Sequence, residues 1–333
     1  MMTAAGKAKH LNKLILLAFA GLFWLLPGAP AQADPVAVRT AVLELNPALP
    51  AETRLGRLNY LGGLILASED GRFGSYSGIA VDADGTGLWA VADTGHWLRL
   101  NFRRNDNGVP ADVSAAQILP LRDANGTAVT RKVLSDAEGL RRLPDGRWVV
   151  SFERAHRLWF YDQPGAAATG TLAVPPAVAQ QPDNGGIEAV AAFTNGDLLL
   201  FSEDMPALNG AAGSAAWLWR KGAWHDLAWP ARDDFKPTDA VALDNGDVIV
   251  LERFYIPIIG PKARLQRIPA ASLDAGQLQP ELLAEWAAPY SVDNMEALDL
   301  RRMPDGSLWL YVMSDDNQNI LQRTLLMLFR YTP

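Results

Sequence analysis

Acidic residues recur in this sequence beside strongly apolar runs. One series reads Ser77, Glu138, Glu188, Asp239 and Glu296; a second reads Asp93, Glu153, Glu203, Glu252 and Asp315. Nine of these ten places are carboxylates, so the set should act together. Like charges brought close raise one another's pKa, and a cation relieves them. Hard oxygen donors suit Ca²⁺. The expected metal ligands are therefore Glu138, Glu188, Asp239, Glu296, Asp93, Glu153, Glu203, Glu252 and Asp315, with Asn184, Asn294 and Asn317 nearby. A bound metal ion lowers the pKa of its water. Glu138, Glu188, Glu296 and His156 are the catalytic candidates, as ligands or acid–base groups. Arg154, Arg253 and Lys236 are the candidates for holding an anionic substrate. The competing reading is that each carboxylate accepts backbone N–H bonds and pins one repeat to the next. His96 and His156 stand at matching places, Asp93-x-x-His96 and Glu153-x-x-His156. They suit a transition metal, proton transfer, or simple packing.

The elements that must position these residues repeat as well. Five Asp-Gly or Asn-Gly turns, at Asp84, Asp145, Asn195, Asn245 and Asp305, each lie between two apolar stretches. That is a strong hairpin signal. A third strand is expected after each pair, at 97–102, 157–161, 216–220, 263–268 and 323–331. A fourth is expected after four of them, at 115–119, 170–174, 225–229 and 281–286. The fifth unit lacks a downstream fourth strand, and segments around 41–45 and 58–66 are the candidates to complete it. Four-stranded units without amphipathic helices predict an all-β fold, a β-propeller of five blades closed by an N-terminal strand. Six blades, with residues 34–75 as a degenerate unit, and a β-sandwich are the alternatives.

Composition narrows the function classes. There is no Cys among the 333 residues, which excludes a thiolate metal site, a cysteine nucleophile and a disulfide scaffold. The net charge of −7 argues against affinity for nucleic-acid backbones. Residues 1–33 carry Lys7, Lys9 and Lys13, then an apolar run from Leu14 to Leu26, then Ala31-Gln-Ala33. The run is shorter than the roughly 20 residues that span a bilayer. It has the three parts of a secretory signal peptide. The expectation is a cleaved leader, 1–33, and one domain, 34–333, periplasmic or secreted, monomeric and free of the membrane after cleavage. Protein isolated from the periplasm should then begin at Asp34. No G-x-S-x-G elbow or P-loop is present.

Several segments taken in order resemble one known family. They are Phe73-Gly-Ser-Tyr-Ser-Gly78, Asp136-Ala-Glu-Gly-Leu140, Ser151-Phe-Glu-Arg-Ala-His-Arg157, Gly186-Ile-Glu-Ala189, Pro237-Thr-Asp239, Leu251-Glu-Arg253, Asp293-Asn-Met-Glu-Ala297, Ser314-Asp-Asp-Asn317 and Gln322-Arg-Thr324. The chain is similar over residues 55–331 to the family known as esterase-like activity of phytase. Gln318 stands where that family usually has an aromatic, and Ala189 and Ala297 where it often has Gly. The resemblance implies an exported phytase-like propeller with hydrolytic, esterase-like activity, and β-propeller phytases hold phosphate oxygens with axial Ca²⁺. The expected partner is then a small-molecule ester or phosphoester. A lactonase-like propeller uses the same metal logic, and a non-catalytic binding or scaffolding propeller is the reading from another class.

Overall fold

Short apolar runs rich in Val, Leu, Ile and Trp, broken by tight turns, fold into antiparallel strands. The computed structural model describes residues 33–181, 185–230 and 233–333. Residues 1–32 of the expected leader, and Asn184, lie outside the described residues. Four of the repeated turns share one geometry. Leu143, Phe193, Leu243 and Met303 each donate to the residue four places on, and their carbonyls accept from Gly146, Gly196, Gly246 and Gly306. These glycines have φ between 81° and 89°, the left-handed region that closes a three-residue hairpin loop.

The strands form five sheets. Blade 1 comprises, from the axis outward, Tyr76–Val81, Gly87–Ala92, His96–Arg104 and Pro110–Pro120, with Asp34–Pro35 on its outer edge. Blade 2 comprises Ala137–Arg142, Trp148–Phe152, Arg157–Tyr161 and Ala168–Leu172. Blade 3 comprises Ile187–Ala192, Leu198–Pro206, Ser214–Arg220 and Ala223–Trp229. Blade 4 comprises Lys236–Ala242, Val248–Ile256, Gly260–Ile268 and Glu281–Ala287. Blade 5 comprises Asn294–Arg302, Leu308–Asp315 and Thr324–Tyr331, then Leu58–Ala67 and Arg39–Val42 from the other end of the chain. The fold is a five-bladed β-propeller. Residues 34–75 add strands to blades 5 and 1 and form no sixth blade.

Each seam between neighbouring blades holds its own apolar core. Trp97, Trp148 and Tyr161 pack between blades 1 and 2, and Phe201 and Trp229 between blades 3 and 4. Leu64, Leu66 and Tyr76 pack between blades 5 and 1. The innermost strands contact one another in a ring around the axis. They approach closely: a Cβ at Gly78 would lie 2.6 Å from the Leu140 amide nitrogen of the next blade. Among the described residues, no helix is long and apolar enough to cross a membrane.

A buried arginine crosses the axis. Arg141 of blade 2 donates to the Ile79 carbonyl of blade 1 at 3.2 Å and the Ala240 carbonyl of blade 4 at 2.8 Å. It also meets the Asp239 carboxylate at 2.5 Å. Asp239 accepts in turn from the Leu298 amide of blade 5 at 2.7 Å. The Arg141–Asp239 pair thus ties four blades together.

Candidate functional site

The innermost strand of every blade carries one bulge residue, skipped in the pairing with the second strand. A bulge turns its side chain away from the regular alternation. The five bulge residues are Ser77, Glu138, Glu188, Thr238 and Glu296. Facing them at the ends of the second strands are Asp93, Glu153, Glu203, Arg253 and Asp315. The amides of Asp93, Glu153 and Glu203 donate to Ser75, Asp136 and Gly186, and Arg253 and Asp315 pair with Lys236 and Asn294.

Blade 4 therefore corrects the sequence reading by one residue. Thr238 and Arg253 hold the repeated places, not Asp239 and Glu252. A one-residue step along a strand moves a side chain to the opposite face. Asp239 points into the axial plug with Arg141. Glu252 is fully buried inside the blade, where it accepts from Trp229 Nε1 at 3.0 Å, Arg264 Nε at 2.7 Å and Gln266 Nε2 at 2.5 Å. Neither lines the axial cavity.

That cavity, about 1000 Å³, opens at the bulge end of the axis. It gathers Glu138, Glu188, Glu296, Asp93, Glu153, Glu203, Asp315, Arg154 and Arg253. Nine carboxylates and four Lys or Arg side chains line it, so the acids are not all neutralised by the chain. Two expected residues lie elsewhere. Lys236 bonds Asp204 in a second cavity of about 280 Å³. The His156 ring packs against Gly186 and Glu153, where a Cβ on Gly186 would come within 2.7 Å of it. Its ring nitrogens have no hydrogen-bond partner among the described residues.

Asp136, from the Asp136-Ala-Glu-Gly-Leu140 segment and outside the two acidic series, is paired by two cations at the floor. It is 1% exposed, bonded by Lys132 Nζ and by Arg154 Nε at 2.5 Å. Lys132 also reaches Asp93 at 2.7 Å. Asp293 and Arg323 likewise line the cavity. Asp136, Lys132, Asp293 and Arg323 come from the segments leading into strands, outside the repeat that drew attention to the others. Asp136 had one usable signal, its place two residues ahead of Glu138 on the same extended chain.

The pairing leaves a distinct subset unsatisfied. Glu153 Oε1 accepts from the amides of Gly185 and Gly186. Arg253 lies 2.8 Å from Glu296 and 3.3 Å from Glu203. Among the described residues, neither Glu138 nor Glu188 receives a comparable bond. Burial raises the pKa of Glu138 well above the usual range, and the Glu188 and Asp136 charges add to it. Burial does the same to Glu188, helped by Glu203 and Glu153. Burial lifts Glu296 to about 7, against the pull of Arg253, and Asp315 to about 8, against its bond from the Asn317 amide. Asp93 and Glu203 are also raised by burial. Glu296 above all, with Glu203, Glu188 and Asp315, holds the Arg253 guanidinium more firmly charged. One oxygen each of Asp136, Glu138 and Glu153 lie within 4.8 Å of one another, a spacing that a metal ion could bridge. The donors are all hard oxygens, which fits Ca²⁺ rather than a thiophilic or imidazole-seeking ion.

The family model described as phytase-like, esterase-like activity of phytase, matches residues 71–318. A search among curated proteins found no match. Among solved structures, an α-L-arabinofuranosidase from Podospora anserina, determined in complex with cellotriose, is 11% identical, with a TM-score of 0.47 over 84% of this chain and 98% of that one. A peptide-bound YCF48 structure is 12% identical, with a TM-score of 0.36 over 92% and 97%.

Proposed function

The chain belongs to the phytase-like family, esterase-like activity of phytase, and on that premise we propose that its axial cavity hydrolyses an ester with the help of Ca²⁺. The observation that carries the reading is the pair Glu138 and Glu188. Both are held on the cavity floor with raised pKa values and no partner of their own among the described residues. Such a pair keeps protons or takes a cation. Glu138 and Glu153, which with Asp136 bring one oxygen each within 4.8 Å of one another, would hold the ion, with Glu188 beside Glu138. The ion would supply positive charge to an ester oxygen and a water of lowered pKa.

The chain's own groups do the rest. Lys132 and Arg154 neutralise Asp136 and so keep the floor from becoming more acidic than the ion can balance. Glu296, with a pKa near 7, can take up and return a proton at neutral pH. Arg253 holds Glu296 in place and faces the cavity. A non-catalytic binding role has one observation in its favour: Asp136, Glu153 and Glu203 are already paired within the chain.

The test is calcium titration of metal-stripped protein, with p-nitrophenyl ester and phosphate hydrolysis followed in parallel. Glu138→Gln and Glu188→Gln should each weaken calcium binding about tenfold or more and lower hydrolysis, with the fold retained. Calcium binding without hydrolysis of any ester would favour the binding role. Equal hydrolysis by stripped and loaded protein would overturn calcium assistance.

A further inference from the structure

We infer that the rim of the axial cavity is an apolar subsite, and that the substrate is a carboxylic ester with an apolar acyl or aryl arm; this rests on the hydrolytic reading of the floor. Two segments from adjacent blades form this rim. The blade 4 hairpin, Val248–Ile256 and Gly260–Ile268, puts Tyr255, Pro257 and Pro261 on the cavity wall. Residues 316–323 of blade 5 put Leu321 there. At the tips, Ile258 and Ile320 are each 97% exposed and Leu321 is 86% exposed.

This exposure is concentrated. Of the eleven large apolar side chains exposed among the described residues, six lie on these two segments: Tyr255, Ile256, Ile258, Ile259, Ile320 and Leu321. Single exposed apolar residues are ordinary, but a cluster beside a polar pocket marks a binding surface. The rim continues into the cavity through Tyr255 and Leu321, so one molecule can touch both rim and floor. The nine carboxylates of the wall outnumber its four cations, Arg253 and Arg323 of the rim segments among them, so a polyanion is repelled on balance. A neutral polar centre with an apolar arm satisfies both zones. An anionic bilayer is disfavoured by the chain's net charge of −7.

The experiment uses the full mature chain and needs no turnover. Calorimetric affinities for propanamide, hexanamide and octanamide are compared between wild type and Ile258→Ser/Leu321→Ser, both checked by melting. Each buried methylene tightens binding by up to roughly fourfold. Wild type should gain about tenfold or more from propanamide to octanamide, and the double variant should lose most of that slope. A flat wild-type series, no binding at any length, or an equal slope in the variant would each overturn the subsite. Phosphatidylcholine vesicle binding lost in the variant, alongside a flat amide series, would overturn it in favour of a bilayer. Matching p-nitrophenyl acyl esters are assayed in parallel. A steep, variant-sensitive amide series with no ester cleaved would overturn the hydrolytic reading and leave the subsite supported.

Discussion

At the scale of single residues, the floor carboxylates make stability depend on pH in an unusual direction. A paired surface carboxylate has a lowered pKa and stabilises the fold as pH rises. Glu138, Glu188, Glu296 and Asp315 have raised values, because burial and like charges oppose ionisation. The folded chain then binds more protons than the unfolded chain between about pH 4.5 and 8, so stability falls as pH rises through that window. In chelator, the melting temperature should drop between pH 5 and 9, and calcium should flatten the drop. Glu188→Gln keeps the shape and removes one penalised charge. It should stabilise metal-free protein by about 1–2 kcal/mol at pH 8.5, with a much smaller gain at pH 5. Melts of both proteins at both pH values decide this. An equal shift at pH 5 and pH 8.5 would show that Glu188 acts through packing rather than charge.

At the scale of elements, blade 4 shows what a repeat pattern can and cannot place. The five hairpins, their order and the carboxylates of blades 2, 3 and 5 were readable, because turn chemistry and apolar runs recur with each unit. Blade 4 offered an acid one place beyond the bulge, at Asp239, and one place before the second-strand position, at Glu252. Strand alternation has period two, so each single-residue offset sends the side chain to a different face. The information that fixes the offset lies in pairing, Pro237 with Glu252 and Asp239 with Leu251. The partners that absorb the two acids, Arg141 and Arg264, are 98 and 12 residues away. The register makes a separable prediction. Burial pushes Asp239 to about 7 despite Arg141. Asp239→Asn should leave Arg141 buried without its counter-charge and cost about 3 kcal/mol or more at pH 8. Calcium affinity should stay unchanged, because the cavity does not include Asp239. A weakened calcium isotherm in that variant, with its stability intact, would restore Asp239 to the ligand set.

At the scale of the whole molecule, the seam between blades 5 and 1 is unlike the other four. Elsewhere a blade is followed directly by its neighbour in the chain. Here residues 34–67 straddle the join: Asp34–Pro35 pairs with the outer strand of blade 1, and Leu58–Ala67 pairs with Thr324–Tyr331 of blade 5. Leu64 and Leu66 then enter the core that blade 5 shares with blade 1. A defect in this pairing should be felt by all five blades, since each seam depends on the ring staying shut. Gly63 is a sharp probe. A Cβ there would lie 2.6 Å from the Leu326 carbonyl on the paired strand and 2.5 Å from the Tyr60 hydroxyl. That hydroxyl is itself bonded to the Leu43 carbonyl at 2.6 Å. Gly63→Ala should therefore push the two strands apart and cost about 1–3 kcal/mol, as overpacking does. Gly71, with open space around its Cβ position, is the control, and Gly71→Ala should stay within about 0.5 kcal/mol of wild type. The decisive feature is the shape of the melt. If the N-terminal strand holds the ring, Gly63→Ala lowers a single transition for the entire protein. Two transitions, with blades 1 to 4 melting as in wild type, would show instead that the strand stabilises blade 5 alone.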